Sequence, residues 1–332
     1  MPENIHIELA RIGSLLQGVD VVTDTDFTGI SDQVLLDFLR KNEALFEDAA
    51  SIIAKGHVAH IATATLQERG VFSVADLHKQ VADIAQLARA IHCVMGLALR
   101  DNSVDGVRRW GLSLIGLGSL VRNGGGFLDA CVGSCIEGLA TAGLRRITKE
   151  LADANAKETL EFLNGCCMNR EPFEQIWRRE VRWTTVLDSD NVGQAATLES
   201  AGWPQAEEQA LNNVIKDAVI QFSTLCELEK YDMAKRTDDR SLAQLRLLLT
   251  EVALLCFQQR HGRLADSLNE LCPTILDSVP QDPFRASQLV YRRNDQDFTL
   301  YSVGDNGRDD GGLRASLDDV IAGRGDLFVD TE

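Results

Sequence analysis

The stretch Val104–Ile147, VDGVRRWGLSLIGLGSLVRNGGGFLDACVGSCIEGLATAGLRRI, decides how the chain is read. It holds two apolar segments of helical length separated by Asn123–Gly126, NGGG, a run that no helix interior tolerates well. The second segment carries a stripe of Leu128, Cys131, Val132, Cys135, Ile136, Leu139 and Gly143, spaced by threes and fours. Glycines within it, Gly133, Gly138 and Gly143, cost about 1 kcal/mol each against Ala. Close approach of a neighbouring helix offsets such a cost, so the two segments are expected to pair as an antiparallel hairpin.

Working outward, the same periodicity recurs. Ser31 precedes Val34, Leu35, Phe38, Leu39, Leu45, Phe46 and Ala49, and Ser73 precedes Leu77, Val81, Ile84, Leu87, Ile91 and Met95. Further helices are expected at about 148–163, 171–187 and 205–234. The charged run Lys235–Ser241 reads as a hinge or as a bend in a long helix, and the pattern changes after it. An amphipathic helix from Leu242 stops at Gly262. Pro-bearing extended chain follows, then two strands, Gln288–Arg293 and Asp297–Val303, which are expected to form the only sheet. The fold class is thus mainly α: an array of helical hairpins over residues 1–235, followed at 236–332 by a small α+β module with a short antiparallel sheet.

Totals bound the function. The 332 residues are 45% hydrophobic and 25% charged, a globular mix, with a net charge of -17. That field repels a phosphate backbone, so no nucleic acid is expected as partner. No uninterrupted apolar run reaches the length of a membrane span, and the first twenty residues lack the features of a signal peptide. The eight Cys include no CxxC pair and read as reduced thiols, with Cys131 and Cys135 expected to be buried. A cytoplasmic location and no membrane span are the resulting expectations.

Motifs with catalytic spacing are scarce. His57 and His60 share a helix face without a carboxylate or Cys at ligand spacing. Cys166–Cys167 is vicinal, which suits redox chemistry or, more plainly, one core and one flanking thiol. RNGGG (Arg122–Gly126) could cradle a phosphate, yet no Lys-Ser/Thr follows it, and a helix-breaking linker is the better reading. WRREVRW sets Arg178, Arg179 and Arg182 beside Trp177 and Trp183; pairing with nearby Glu residues is expected. The acidic loop within LYSVGDNGRDDGG, Leu300–Gly312, can be a turn held by its own side chains or an oxygen-rich cation loop.

In order, QQRHGRL, DSLNEL, VPQDPF, LVYRR and LYSVGDNGRDDGG resemble the soluble part of the major pseudopilin of type II secretion and related pilin-like modules. The likeness covers Leu242 to Gly312, about a fifth of the chain. It implies a calcium site at Asp305, Asn306, Asp309 and Asp310. The chain lacks the N-terminal hydrophobic helix and peptidase site of pilins, so filament membership is not implied. VRNGGGFLDACVGSCIEGLATAGL and IWRREVRWTTVLD also resemble bacterial proteins that place a helical region before such a module. The leading functional expectation is a non-enzymatic interaction or scaffold protein with a protein partner. An enzyme with an inter-helix active site, or an accessory component of a secretion system, is the alternative.

Overall fold

The computed structural model describes residues 5–18, 31–58, 66, 69–190, 227–294, 297–314 and 325–328. Among these are eight α-helices: α1 Ile5–Leu15, α2 Asp32–Val58, α3 Val74–Arg100, α4 Val104–Arg122, α5 Phe127–Ile147, α6 Asp153–Met168, α7 Phe173–Asp190 and α8 Glu227–His261. Two hairpins close the chain: β1 Gln281–Asp282 with β2 Ser287–Gln288, and β3 Val290–Arg293 with β4 Phe298–Tyr301. The mainly α architecture is therefore as expected, with the sheets small and C-terminal.

Local chemistry sets the helix ends. The Ser73 hydroxyl accepts from the Asp76 amide at 3.1 Å, and Ser103 does the same for Gly106 at 3.2 Å. Gly262 adopts φ 67 and its N–H donates to the Gln258 carbonyl, which ends α8 where the sequence placed the stop. The helix expected at 148–163 is instead a 3-10 turn, Thr148–Glu150, then α6, because Leu151 and Ala152 are extended.

α4 and α5 form the expected hairpin. Gly111 faces Leu144 and Gly118 faces Gly133, so the pair is antiparallel. A Cβ added at Gly118 would sit 2.6 Å from the Gly133 carbonyl oxygen, and one at Gly133 would sit 2.5 Å from that of Gly118. Main chain meets main chain there. Gly133→Ala should therefore destabilise by about 1–3 kcal/mol through overpacking, despite Ala's better propensity. Gly138 on the same helix has only the Gln244 side chain nearby, at 3.6 Å. Gly138→Ala should have the opposite sign and stabilise by up to about 1 kcal/mol. Paired urea melts check both signs.

Three sequence expectations need correcting. First, three helices are long and apolar enough to cross a membrane by length and composition: Ala75–Arg100, Phe127–Glu150 and Tyr231–His261. This overturns the expectation of no membrane span, and the cytoplasmic location drawn from it falls too. Scattered small and polar residues interrupt each apolar run, yet an 18-residue window in each still averages a hydropathy of 1.3. In the fold, 61%, 67% and 67% of these windows are buried inside the molecule. Second, the β1–β2 hairpin adds a sheet in the Pro-bearing stretch. Asp282 holds it: buried, its carboxylate accepts from the Phe284 amide (3.0 Å), the Ser302 hydroxyl (2.9 Å) and the Val303 amide (2.9 Å). Third, Cys131 and Cys135 are half-buried rather than buried.

Lys235–Ser241 lies inside α8, so the change of pattern near residue 235 falls within one continuous helix. One hydrophobic core takes residues from α1 to α6 and continues through Leu245–Phe257 to Leu268, Leu271, Leu276 and Leu289. Cys226 and residues 205–226 of the helix expected at about 205–234 lie outside the described residues, as does His60, and residues 227–234 are helical.

Candidate functional site

The chemistry of the helical body converges on the NGGG turn. Gly124 there has φ 76, which favours glycine. Its N–H donates to Glu171 at 2.8 Å. The Gly126 amide donates to Asp129 and the Phe127 amide to Glu180, each at 2.8 Å. The Gly125 carbonyl accepts from Arg179, which also pairs with Glu171. The amides that would cradle a phosphate are thus taken by the protein's own carboxylates, and the turn is a latch between α5 and α7. Arg179 makes the intramolecular pair expected of it. The Arg182 side chain is not among those described.

Two buried ion-pair clusters flank the latch. In the first, Arg69 is 1% exposed and grips Asp129 with two bonds of 2.7 and 2.9 Å. It also donates to Gln80 at 2.7 and 3.0 Å and lies 5.3 Å from the Trp183 ring centroid. Beside it, buried His6 bonds the Val121 carbonyl at 3.3 Å. Burial first, then the Arg69 charge, lowers the His6 pKa to about 4, against a smaller opposite pull from Asp129. In the second cluster Arg122 holds Asp238 with bonds of 2.6 and 2.9 Å. Arg170 bridges Glu137 at 2.8 Å and Asp238 at 2.9 Å, and Ser241 donates to Glu137. Two cations face two carboxylates, so the cluster is neutral. Cys166 and Cys167 stand near it as poor nucleophiles: burial pushes Cys167 up to about 11 and Cys166 well above its ordinary value.

His6 makes the protein acid-sensitive. Its folded pKa, about 4, lies below the unfolded value of 6.5, so the unfolded chain binds more protons between them. Stability from the neutral ring is complete above pH 6.5 and is lost as pH falls toward 4, a loss of about 3 kcal/mol. His6→Gln should flatten the stability profile across that window, read as urea midpoints at successive pH values.

The acidic loop is arranged by donors of the chain. Asp305 pairs with Arg240. Asp309 accepts from the Tyr301 hydroxyl at 2.7 Å and pairs with Arg292 at 3.0 Å. The Tyr301 bond first, with the Gly311 amide and Arg292, holds the Asp309 carboxyl below its ordinary value. Asn306 and Asp310 are brought together at 2.8 Å, and Asp310 also takes the Gly325 amide. Asp326, which the sequence reading missed, accepts from the amides of Gly312 (2.7 Å), Leu313 (3.1 Å) and Asp310 (3.2 Å). Among the described residues no three His, Cys, Asp or Glu side chains are grouped as a metal site needs.

A cavity of about 330 Å³ opens where β4 and the loop after it meet the helical body. Arg145 of α5, Lys149, Glu251 of α8, Arg314, Phe298 and Phe328 line it. Arg145 pairs with Glu251 at 3.2 Å, and the Arg314 guanidinium lies 4.3 Å from the Phe328 ring centroid. No catalytic motif marks this cleft, because its walls come from five separate parts of the chain.

What the fold and these sites define is a helical body, clamped by internal ion pairs, that carries small β-hairpins on one side. Comparison with protein-family models, curated proteins and solved structures finds no match to the chain.

Proposed function

We propose that the chain is a non-enzymatic interaction protein that offers the cleft between its helical body and its C-terminal hairpins to a partner. The observation that supports this is the use made of the buried charges. Arg69 pairs with Asp129, and Arg122, Asp238, Arg170 and Glu137 pair in a second cluster, which ties helices and turns together rather than presenting reactive groups. The pseudopilin likeness of residues 242–312 belongs to the same proposal. It is supported by the order of helix, Asp282 turn, hairpin and Gly-rich loop. A photo-cross-linking residue at Thr299, in the cleft wall, tests the reading in cells that naturally make the protein. One adduct of defined mass from Thr299, absent from a cross-linker at exposed Met168, is the expected result. No adduct from Thr299, or the same adducts from both positions, would overturn it.

A calcium loop is the second reading, favoured by positive φ at Gly304, Gly307, Gly311 and Gly312 around Asp305, Asn306, Asp309 and Asp310. An ion would have to draw Asp305 from Arg240, and Asp309 from Arg292 and Tyr301. The paired arrangement predicts the same Tm in millimolar calcium and in chelator. A rise of several degrees in calcium, reversed by chelator and lost in Asp309→Ala, would establish the ion site instead.

A further inference from the structure

α1 is joined to the helical body through one side chain that can change its charge. Leu9 and Ile12 of α1 and Leu16 just after it are buried. The helix lies so close to α3 that a Cβ added at Gly13 would overlap the Asp83 carbonyl oxygen. The Gln86 side chain of α3 donates to the Gly13 carbonyl at 3.0 Å. Asn42 of α2 exchanges two bonds with the main chain of Gln17, at 2.9 and 3.0 Å. These contacts are all neutral. At the other end of α1, buried His6 reaches the Val121 carbonyl in the last turn of α4.

The surroundings of the His6 ring suit a neutral imidazole and oppose a charged one. Arg69, from the turn before α3, and Arg179, from α7, both act on it as cations. Asp129, from α5, acts the other way, as does the Val121 carbonyl. Both Asp129 oxygens are already held by Arg69, and one also takes the Gly126 amide. On α3, Lys79 and Asp83 pair with each other at 2.7 Å, and neutral Gln80 is bonded to Arg69. α2 meets this end of the chain through neutral Asn42, and α1 itself carries half-buried Glu8 and exposed Arg11. The ring travels with α1, whereas Arg69, Asp129 and Arg179 stay with the body. A proton on His6 therefore favours the state in which α1 has left, because water solvates the charge there. We propose that α1 is a proton-operated clasp: protonation of His6 lifts the helix off α3 while the ion-paired body stays folded, and uncovers Leu9, Ile12, Leu16 and the part of α3 around Asp83. The bonds among Arg69, Asp129 and Gln80 join the turn, α5 and α3 without using α1, so they hold when it leaves.

Amide exchange of the full chain, corrected for the intrinsic pH dependence of exchange, tests this at about pH 7.5 and about pH 4.5. Protection of Ile5–Leu15 should fall about seventyfold between the two, the uptake of one proton by a ring whose pKa rises from about 4 to 6.5 on release. At the lower pH, α1 should be at least about tenfold less protected than α5. Its exchange should also be nearly flat in low urea while that of α5 is steep, since a local opening exposes little surface. His6→Gln, neutral at both pH values, should remove the α1 response. His78→Gln together with His92→Gln, the histidines of α3, should leave it intact. Equal protection of α1 and α5 at about pH 4.5 would overturn the proposal, because α1 would then leave only when the whole protein unfolds. So would an α1 protection that does not change with pH, or a full response in folded His6→Gln. If His6→Gln does not fold, the urea slopes and the His78/His92 variant decide, and a response lost with those two histidines refutes the clasp.

Discussion

Asp129→Ala should cost about 3–5 kcal/mol, a large share of the stability of a typical domain. The Arg69 guanidinium is buried, and two of its nitrogens lie 2.7 and 2.9 Å from the Asp129 carboxylate. Among the described residues, removing the carboxylate leaves a cation in the core with the neutral Gln80 oxygen and the Trp183 ring to face it. The Gly126 amide loses its acceptor at the same time. Replacing both partners should be far milder, because a buried pair gains little over apolar side chains of similar volume. Arg69→Met with Asp129→Leu should therefore recover most of the loss. Urea denaturation of the three variants checks it. An Asp129→Ala protein within about 1 kcal/mol of the parent would show that the pair does not carry the charge balance assigned to it.

Asp238→Ala should be comparably severe, at about 3–5 kcal/mol, with a more local signature. Asp238 serves two cations, Arg122 through both oxygens and Arg170 through one. Without it, Glu137 alone faces two buried guanidinium groups. Asp238 sits in α8, Arg122 ends α4, Arg170 follows α6 and Glu137 lies in α5, so the cluster ties four elements together. Amide exchange should accelerate most over the α8 turns around Asp238 and least in the β3–β4 hairpin. Uniform acceleration along the whole chain, or none, would contradict a clamping role. Asp238→Asn keeps the hydrogen-bond acceptor but not the charge, and should fall between parent and Ala.

Much of the acidic loop was legible before any coordinates. Its Gly and Asp content announced a tight, oxygen-rich turn, and four of its glycines do take positive φ. What the residues do there was not legible. Arg240 reaches Asp305 across 65 residues, and Asp326 gathers three loop amides from a distant part of the chain. The cleft was invisible for the same reason.

Most of the helices, the Ser73 cap, the Gly262 stop and the α4–α5 hairpin follow from the residues alone, because caps and periodicity act within a few positions along the chain. The spacing of small residues even foretold that α4 and α5 approach closely, though not that Gly118 and Gly133 meet main chain to main chain. The hydropathy of α3, α5 and α8 is likewise a property of composition, yet how much of each helix is covered depends on which faces meet. Tertiary structure also decided every charge pairing. Arg69 with Asp129 and Arg122 with Asp238 join residues 60 and 116 positions apart, and a sequence lists such charges without saying which of them share a desolvated space. Coulombic attraction between buried groups is set by distance and dielectric, and both exist only once the helices have packed.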